Sequence, residues 1–436
     1  MALFGSSGYP VTAVSDDLRS HVDTATETIT PTTDPSALNG DEHALVHVRP
    51  YGDSDGFDAA VEFVRDLYRS PNSETGDQSI ASMEWWFTDG QLSQRFCTTT
   101  PDRFDQLLDS RYQNSSVHTP DRAFLELSSD EYVASARLHL RQDCAFPLSH
   151  QNASVDALAT DPYTAIASAL VGPDDTRALV QCTFMPVGKQ TWYQRGTLAS
   201  LRGHDVDGIA ENRKEGTVKG EVNPRIVESR TDRLTAKDMQ RQRGRPAFQT
   251  VVRIVATGPS KANVRTRMDD LESAFEEFAY PASEQEFVAE PLSGRALIDG
   301  ITAAAGRELP MQGRIRRTLF GRESVLTDDE LAGLVHLPNR EINAPLLDWQ
   351  RMEGGAGSPG AKHQFGDTTP EPSTQQPASS SNQSASDEPA ATESGQQQAE
   401  YAPQSAEGME PAPTDDHAPD AESTAADGQT GGVEHE

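Results

Sequence analysis

Residues 44–50 (ALVHVRP) alternate apolar and polar positions with a period of two, which predicts a strand. Phe57, Val61, Val64 and Tyr68 follow at helical spacing, after Asp53, Ser54 and Asp55 as caps. The run SMEWWFTDGQLSQRFCT then predicts strands over 82–88 and 91–98, with Asp89-Gly90 as the hairpin turn. Thr100-Pro101 opens a helix carrying Phe104, Leu107 and Leu108, and a short strand near 116–118 closes the set. The order is β-α-β-β-α-β, the ferredoxin-like pattern.

The same order returns further on. Tyr132–Leu140 reads as a strand, and Asp161-Pro162 starts a helix with Ile166 and Leu170. Arg177–Val187 and Phe248–Thr257 read as strands. Pro259 opens a helix whose Val264, Met268, Leu271, Phe275 and Phe278 recur at steps of four and three, and Glu286–Ala289 supplies a last strand. The expected fold class is therefore α+β, with two tandem ferredoxin-like βαββαβ units. The second carries a charged insertion, about 203–245, read as a mobile arm or a solvated helical hairpin. A helix near 294–307 (Leu297, Ile298, Ile301) follows.

Composition changes this picture at both ends. From Glu353 onward there are 16 Asp or Glu against Lys362 alone, with almost no aliphatic residue. Such a segment cannot offset the entropy of ordering and is expected to be a disordered acidic tail. The net charge is −31; the tail holds −15 (16 acids, one Lys), which leaves −16 on the body. The body has only five Lys (189, 214, 219, 237, 261). Many carboxylates and few Lys suit a protein kept soluble in high salt, and predict a halophilic source. The expected organisation is a flexible arm over 1–42 and units over 43–125 and 126–292. A helical segment over 293–352 and the tail over 353–436 complete it. Truncation after Met352 should accordingly leave the thermal unfolding midpoint nearly unchanged at fixed salt, as differential scanning calorimetry would record.

Cys97, Cys144 and Cys182 are too sparse for a disulfide framework and predict an intracellular protein. No run approaches the roughly 18 apolar residues of a membrane span, and MALFGSSGYP lacks the basic start and apolar core of a signal peptide.

The stretch Ser324–Pro338, SVLTDDELAGLVHLP, carries the most local information. Thr327 and Glu330 have the spacing of a capping box, Leu326 and Leu331 that of a hydrophobic staple. Leu331, Leu334 and Val335 give one apolar face, Pro338 stops the helix, and His336 reads as a contact at its end. Asp329-Glu330-Leu331-Ala332, His336-Leu337-Pro338 and the step from Pro345 to Trp349 also resemble the segment just before the motor domain of conjugative DNA-transfer ATPases, the type IV secretion coupling class. Other pieces resemble that family in the same order: Asp161-Pro162-Tyr163 with Ala165–Leu170, Val180-Gln181 through Pro186 to Trp192, Val252-Arg253-Ile254, and Ala274-Phe275. In that family the ATPase does the work of transfer. The matched region resembles its non-catalytic platform, so no catalytic residue carries over.

Motifs for chemistry are missing. The nearest string to a phosphate-binding loop, Gly355 to Gly360 with Ala361 and Lys362, has its Lys one place late and no hydroxyl after it. No metal, cofactor or catalytic site is expected. His43 and His47, four apart, are read as structural rather than metal-binding. Two basic patches, Arg241, Arg243 and Arg245, and Arg314, Arg316, Arg317 and Arg322, could touch nucleic acid, anionic lipid or an acidic partner, but a solvated face balanced by nearby acids such as Glu308 and Glu323 is the better reading. Trp85, Trp86 and Phe87 could stack bases. Three adjacent strand residues cannot share a face, however, so core packing is the better reading.

The expectation is a non-enzymatic accessory scaffold of a conjugative DNA-transfer, type IV secretion-like machine. It would dock a separate P-loop ATPase through Leu337, Pro345, Leu346, Leu347 and Trp349. The alternative for that segment is that Trp349 folds back on the second unit. Membrane-anchored channel subunits, DNA and further copies of the chain are the other partners considered. The expected place is the cytoplasm, at the membrane face only through partners. A nucleic-acid-binding protein using the arginine patches is the alternative function.

Overall fold

The computed structural model describes residues 8–351, apart from 39–41, 69–79, 143, 155–156, 159, 188–216, 219–220, 223–229, 243 and 310–323. The tail from 353 and most of the insertion lie outside these residues.

The first repeat comprises β3 (His43–Arg49), α2 (Ala60–Tyr68), β4 (Ala81–Thr88), β5 (Gln91–Thr98), α3 (Pro101–Arg111) and β6 (Ser116–His118). Its strands lie in the order β6-β3-β5-β4, all antiparallel. The second comprises β7 (Tyr132–Leu140), α4 (Tyr163–Leu170), β8 (Arg177–Val187), β11 (Ala247–Gly258), α6 (Lys261–Ala274) and β12 (Phe287–Pro291). Its order, β12-β7-β11-β8, is the same fourth-first-third-second arrangement. Both repeats are ferredoxin-like, and the chain is α+β. Asp89 and Gly90 both have positive φ (53° and 71°), as a two-residue type I′ hairpin requires.

The second strand of each repeat would be a sheet edge in isolation. Here β4 and β8 pair with each other, antiparallel, with Glu84 opposite Gln181 and Trp86 opposite Leu179. One sheet therefore runs through both repeats. The pairing removes the exposed edges of β4 and β8, and because both faces of the sheet are covered, β4, β8 and β11 are buried along nearly their whole length rather than at alternate positions.

On one face α2, α3, α4 and α6 cover Trp85, Phe87, Phe96, Phe184 and Ile254. Phe96 stacks on Phe104 at 3.8 Å, and Trp85 meets Tyr163 edge-on at 4.8 Å. The opposite face, open in a simple ferredoxin-like unit, is covered too. Trp86, Val133, Leu179 and Val255 pack there with α1 (Asp16–Thr26) and α7 (Arg295–Ala305). Trp86 is fully buried, so the aromatic triplet splits between two cores and offers no stacking platform.

Residues from Gly8 onward are thus not a loose arm. Ser15 accepts a hydrogen bond from Leu18 N (3.1 Å) and caps α1, and Val14, Leu18 and Val22 form a stripe at steps of four. β1 (Thr12–Ala13) pairs with β7, and β2 (Ile29–Pro31) runs parallel to β3. Two large apolar side chains on an otherwise polar helix, with Val14 just before its cap, are a weak composition signal but a sufficient packing one. Burial of each is worth about 1.5–3 kcal/mol.

The insertion contributes a small hairpin, β9 (Thr217–Val218) with β10 (Glu221–Val222), and α5 (Arg230–Arg241). α5 is packed rather than solvated: Ala236 and Met239 form a small core with Ala145. The motif stretch also differs from a single long helix. Ser324–Thr327 is a strand, β13, paired with β11, and the helix α8 spans only Asp328–Ala332 before the chain turns.

Candidate functional site

α8 is built from the capping box. Glu330 Oε2 accepts from Thr327 N (2.8 Å) and Thr327 Oγ1 (2.9 Å). Leu326 and Leu331 both enter the main core, as a staple would place them. All three acids of the first turn are buried, which solvation at a turn cannot explain. Asp328 is held by Arg65 Nε (3.0 Å) from α2 and Arg245 Nε (2.6 Å). Asp329 pairs with Arg245 Nη2 (2.7 Å) and accepts from Asn152 Nδ2 (3.0 Å). Glu330 Oε1 accepts from Gln242 Nε2 (2.8 Å) and Leu148 N (3.0 Å). Burial pushes the Glu330 carboxyl up to about 7, against the pull of those hydrogen bonds.

The His-Leu-Pro step is tied to both repeats. His336 is fully buried, and its Nδ1 meets Ala332 O (2.8 Å) at the helix end, the contact expected from the sequence. Its Nε2 meets both Asp161 oxygens (3.0 and 3.1 Å), and its ring stacks on Tyr163 at 3.8 Å. His336 O accepts from Gln94 Nε2 (2.7 Å) of the first repeat, and Tyr163 Oη donates to Leu334 O (2.9 Å). Asp161-Pro162-Tyr163 and His336-Leu337-Pro338, 175 residues apart, are therefore one packed cluster. Val180-Gln181 and Val252-Arg253-Ile254 also meet, through Arg253 Nη1 and Gln181 Oε1 (3.0 Å).

The proposed docking residues divide. Leu337 and Leu347 are core residues, because the segment after Pro338 folds back over the sheet. Leu346 is 40% exposed, the one large apolar side chain so placed among the described residues, and Pro345 beside it is exposed. Trp349 is half-buried, with Nε1 donating to Ala344 O (3.3 Å). The segment lies on the first repeat, not the second. Leu92 N donates to Leu346 O (3.0 Å), Asp348 N to Leu92 O (3.1 Å) and Gln350 N to Pro50 O (3.0 Å). Arg49 Nε holds Asp348 at 2.7 Å, with His47 Nε2 3.5 Å away. Burial lowers His47 to about 4, so the ring is neutral at physiological pH.

Of the arginine patches, Arg245 is spent on Asp328 and Asp329, and Arg241 Nη1 pairs with Asp238 (3.3 Å) and Ser154 Oγ (3.0 Å). Arg245 is largely covered by these contacts, whereas half of the Arg241 side chain stays exposed. Arg243, Arg314, Arg316, Arg317 and Arg322 lie outside the described residues.

Sequence reasoning missed a buried charge network at the seam between the repeats. Glu84 on β4 takes both Arg307 Nε (2.9 Å) and Nη2 (3.1 Å) from the end of α7. Ser82 Oγ (2.7 Å), Trp86 Nε1 (2.9 Å) and Gln181 Nε2 (3.0 Å) complete its shell. Burial alone would push the Glu84 carboxyl up, but Arg307 and these donors outweigh it and hold it below its usual range. The only local signal was an acid in the middle of the run MEWWF.

A cleft of about 640 Å³ opens beside α8, lined by Phe57, Asp58, Gln151, Asn152, Asp161 and Glu341 among others; no His or Cys lines it. No group of three His, Cys, Asp or Glu among the described residues could hold a metal ion. No described helix is long and apolar enough to cross a membrane.

The fold and this segment define a class: two ferredoxin-like repeats fused through one sheet and stapled by a C-terminal capped motif. The chain belongs to the family described as Domain of unknown function (DUF8128), which matches residues 21–350, from within α1 through both repeats to the stretch just after Trp349. No curated protein matches the chain significantly.

Proposed function

We propose that this protein is a non-catalytic platform of a conjugative DNA-transfer, type IV secretion-like machine, docking an ATPase made as a separate chain. One observation carries the reading. The strings that resemble the pre-motor region are scattered from Asp161 to Pro338, yet they pack against each other: Asp161 and Tyr163 on His336, Gln181 on Arg253. A resemblance arising by chance has no reason to select residues in contact. The packed cluster leads directly into Pro345–Trp349, where the chain presents Leu346 to solvent. In the transfer ATPases the motor follows this step, so the same surface serves here as the place where a motor chain docks. The acidic body suits a salt-rich cytoplasm, with membrane-anchored channel subunits holding the assembly at the membrane face.

The test is co-purification with a P-loop ATPase encoded beside the gene, in molar KCl. Leu346→Asp is expected to cut recovery of the ATPase at least tenfold, since an interface anchor is worth about 2 kcal/mol or more. Its unfolding midpoint should stay at the wild-type value, because the side chain is exposed. Undiminished recovery with Leu346→Asp would remove this surface from the proposal.

A further inference from the structure

Glu330 sits where α8, the 144–154 loop and the end of α5 meet. The charged groups facing this junction are Asp328 and Asp329 of α8 itself, Arg65 of α2, Asp238 and Arg241 of α5, Arg245 just beyond it, and His150 of the loop. Arg65, Arg241 and Arg245 are paired with Asp328, Asp238 and Asp329. Burial lowers the His150 imidazole below its ordinary value, and its Nδ1 accepts from Asn152 N (3.2 Å). Glu330 is thus left with no ion-pair partner among the described residues and only neutral donors: Thr327 N, Thr327 Oγ1, Leu148 N and Gln242 Nε2.

Gln242 is the informative one. It is 3% exposed, and while its Nε2 donates to Glu330, its Oε1 is buried with no hydrogen-bond partner among the described residues. An amide is two-ended, and a half-turn about its last torsion exchanges a donor for an acceptor in the same volume. An ionised Glu330 takes the N–H end; a protonated Glu330 presents an O–H and takes the oxygen end. Either arrangement leaves one end of the amide unpaired, so the two are closely balanced and the proton on Glu330 selects between them.

We propose that Glu330 and Gln242 form a proton-operated latch that fastens the motif helix α8 to α5, the helix emerging from the insertion. Protonation closes it. Ionisation leaves a dry carboxylate with no cation at ion-pair distance among the described residues, Arg245 acting on it only at longer range while bound to Asp328 and Asp329, and opening the junction rehydrates that charge. By linkage, the closed form loses stability as pH rises through neutrality. The latch does not depend on which partner the platform serves. It would couple the motif segment to the insertion whenever a partner's charge shifts the proton.

The experiment uses the full-length protein labelled at glutamate side-chain carboxyls and glutamine side-chain amides, followed by NMR from pH 5 to 9 at fixed salt. One carboxyl resonance should titrate near pH 7 and be missing in Glu330→Gln. The Gln242 amide resonance, assigned by its loss in Gln242→Met, should move with the same midpoint. Gln242→Met removes the donor to the ionised form and should move the Glu330 midpoint upward. Amide-exchange protection over 234–242, corrected for intrinsic rates, should be roughly tenfold higher at pH 6 than at pH 8. It should be pH-independent in Glu330→Gln. The latch is overturned if no glutamate titrates between pH 6 and 8, or if the Gln242 amide stays still while Glu330 titrates. It is equally overturned if Glu330→Gln keeps the wild-type pH dependence. Should Glu330→Gln fail to fold, the wild-type titration and the Gln242→Met midpoint decide alone.

Discussion

Arg307→Met is expected to be the most damaging single substitution in the body, costing about 3–5 kcal/mol of unfolding free energy. Arg307 is 1% exposed and Glu84 0%, and the two are joined by a two-point contact. Removing the guanidinium leaves a carboxylate in a dry site. Ser82, Trp86 and Gln181 cannot neutralise it. Glu84→Gln with Arg307→Met removes both charges, and much of the loss should return, because a matched neutral pair of similar volume is often tolerated as well as the ion pair. Denaturant unfolding at one fixed salt concentration measures both. A single mutant within about 1 kcal/mol of wild type would show that the seam does not rely on this pair. Glu84 lies on β4 opposite Gln181 on β8, and Gln181 also donates to Ala304 O (2.9 Å) of α7. The pair therefore fixes three things together: the register between the repeats, the position of α7, and the closure of the second sheet face.

The second large effect is a pH dependence with a definite sign. The Glu330 carboxyl is raised by burial to about 7, above its unfolded value. A raised carboxyl contributes stability that is fully present below the unfolded value and lost as pH rises through about 7. His47 and His150 are lowered by burial and act in the opposite sense: their contribution is present above the ordinary histidine range and lost as pH falls. The wild-type profile sums these opposing slopes, so the comparison with Glu330→Gln is the informative quantity. Gln cannot titrate, and the histidines cancel in the difference. Between pH 5 and pH 8 the stability of Glu330→Gln relative to wild type should rise by about 2–3 kcal/mol, whatever constant offset the lost hydrogen bonds add. A difference that is flat with pH would mean that the four donors, not burial, set the carboxyl's behaviour.

Much of the local structure was legible in the sequence because its causes are local. The period-two runs gave the strands, Asp89-Gly90 gave the hairpin, and Thr327 with Glu330 gave the capping box, each bounded by residues that dictate backbone torsions. The repeated β-α-β-β-α-β order was enough to predict both four-strand arrangements, since the ferredoxin-like pattern fixes strand order once element order is known. The candidate site was legible only in part. Leu346 is exposed as docking requires, but Leu337 and Leu347 are core, and an apolar residue near the end of a fold reads the same in either role.

What the tertiary structure alone decided were the long-range partners. A run such as SMEWWF says that both faces of a strand are covered; it does not say by what. That β4 pairs with β8, that α1 and α7 close the second face, and that Arg307 meets Glu84 across 223 residues follow from where elements come to lie. The charged residues show this most plainly. Arg241 and Arg245 look in sequence like a basic patch for an outside anion, and in the fold they neutralise Asp238, Asp328 and Asp329. The sequence by itself determined which segments become strands, helices and turns, because those depend on neighbours a few residues away. Which charges are spent inside and which surface is left for a partner depended on proximity in space, which only the packed chain defines.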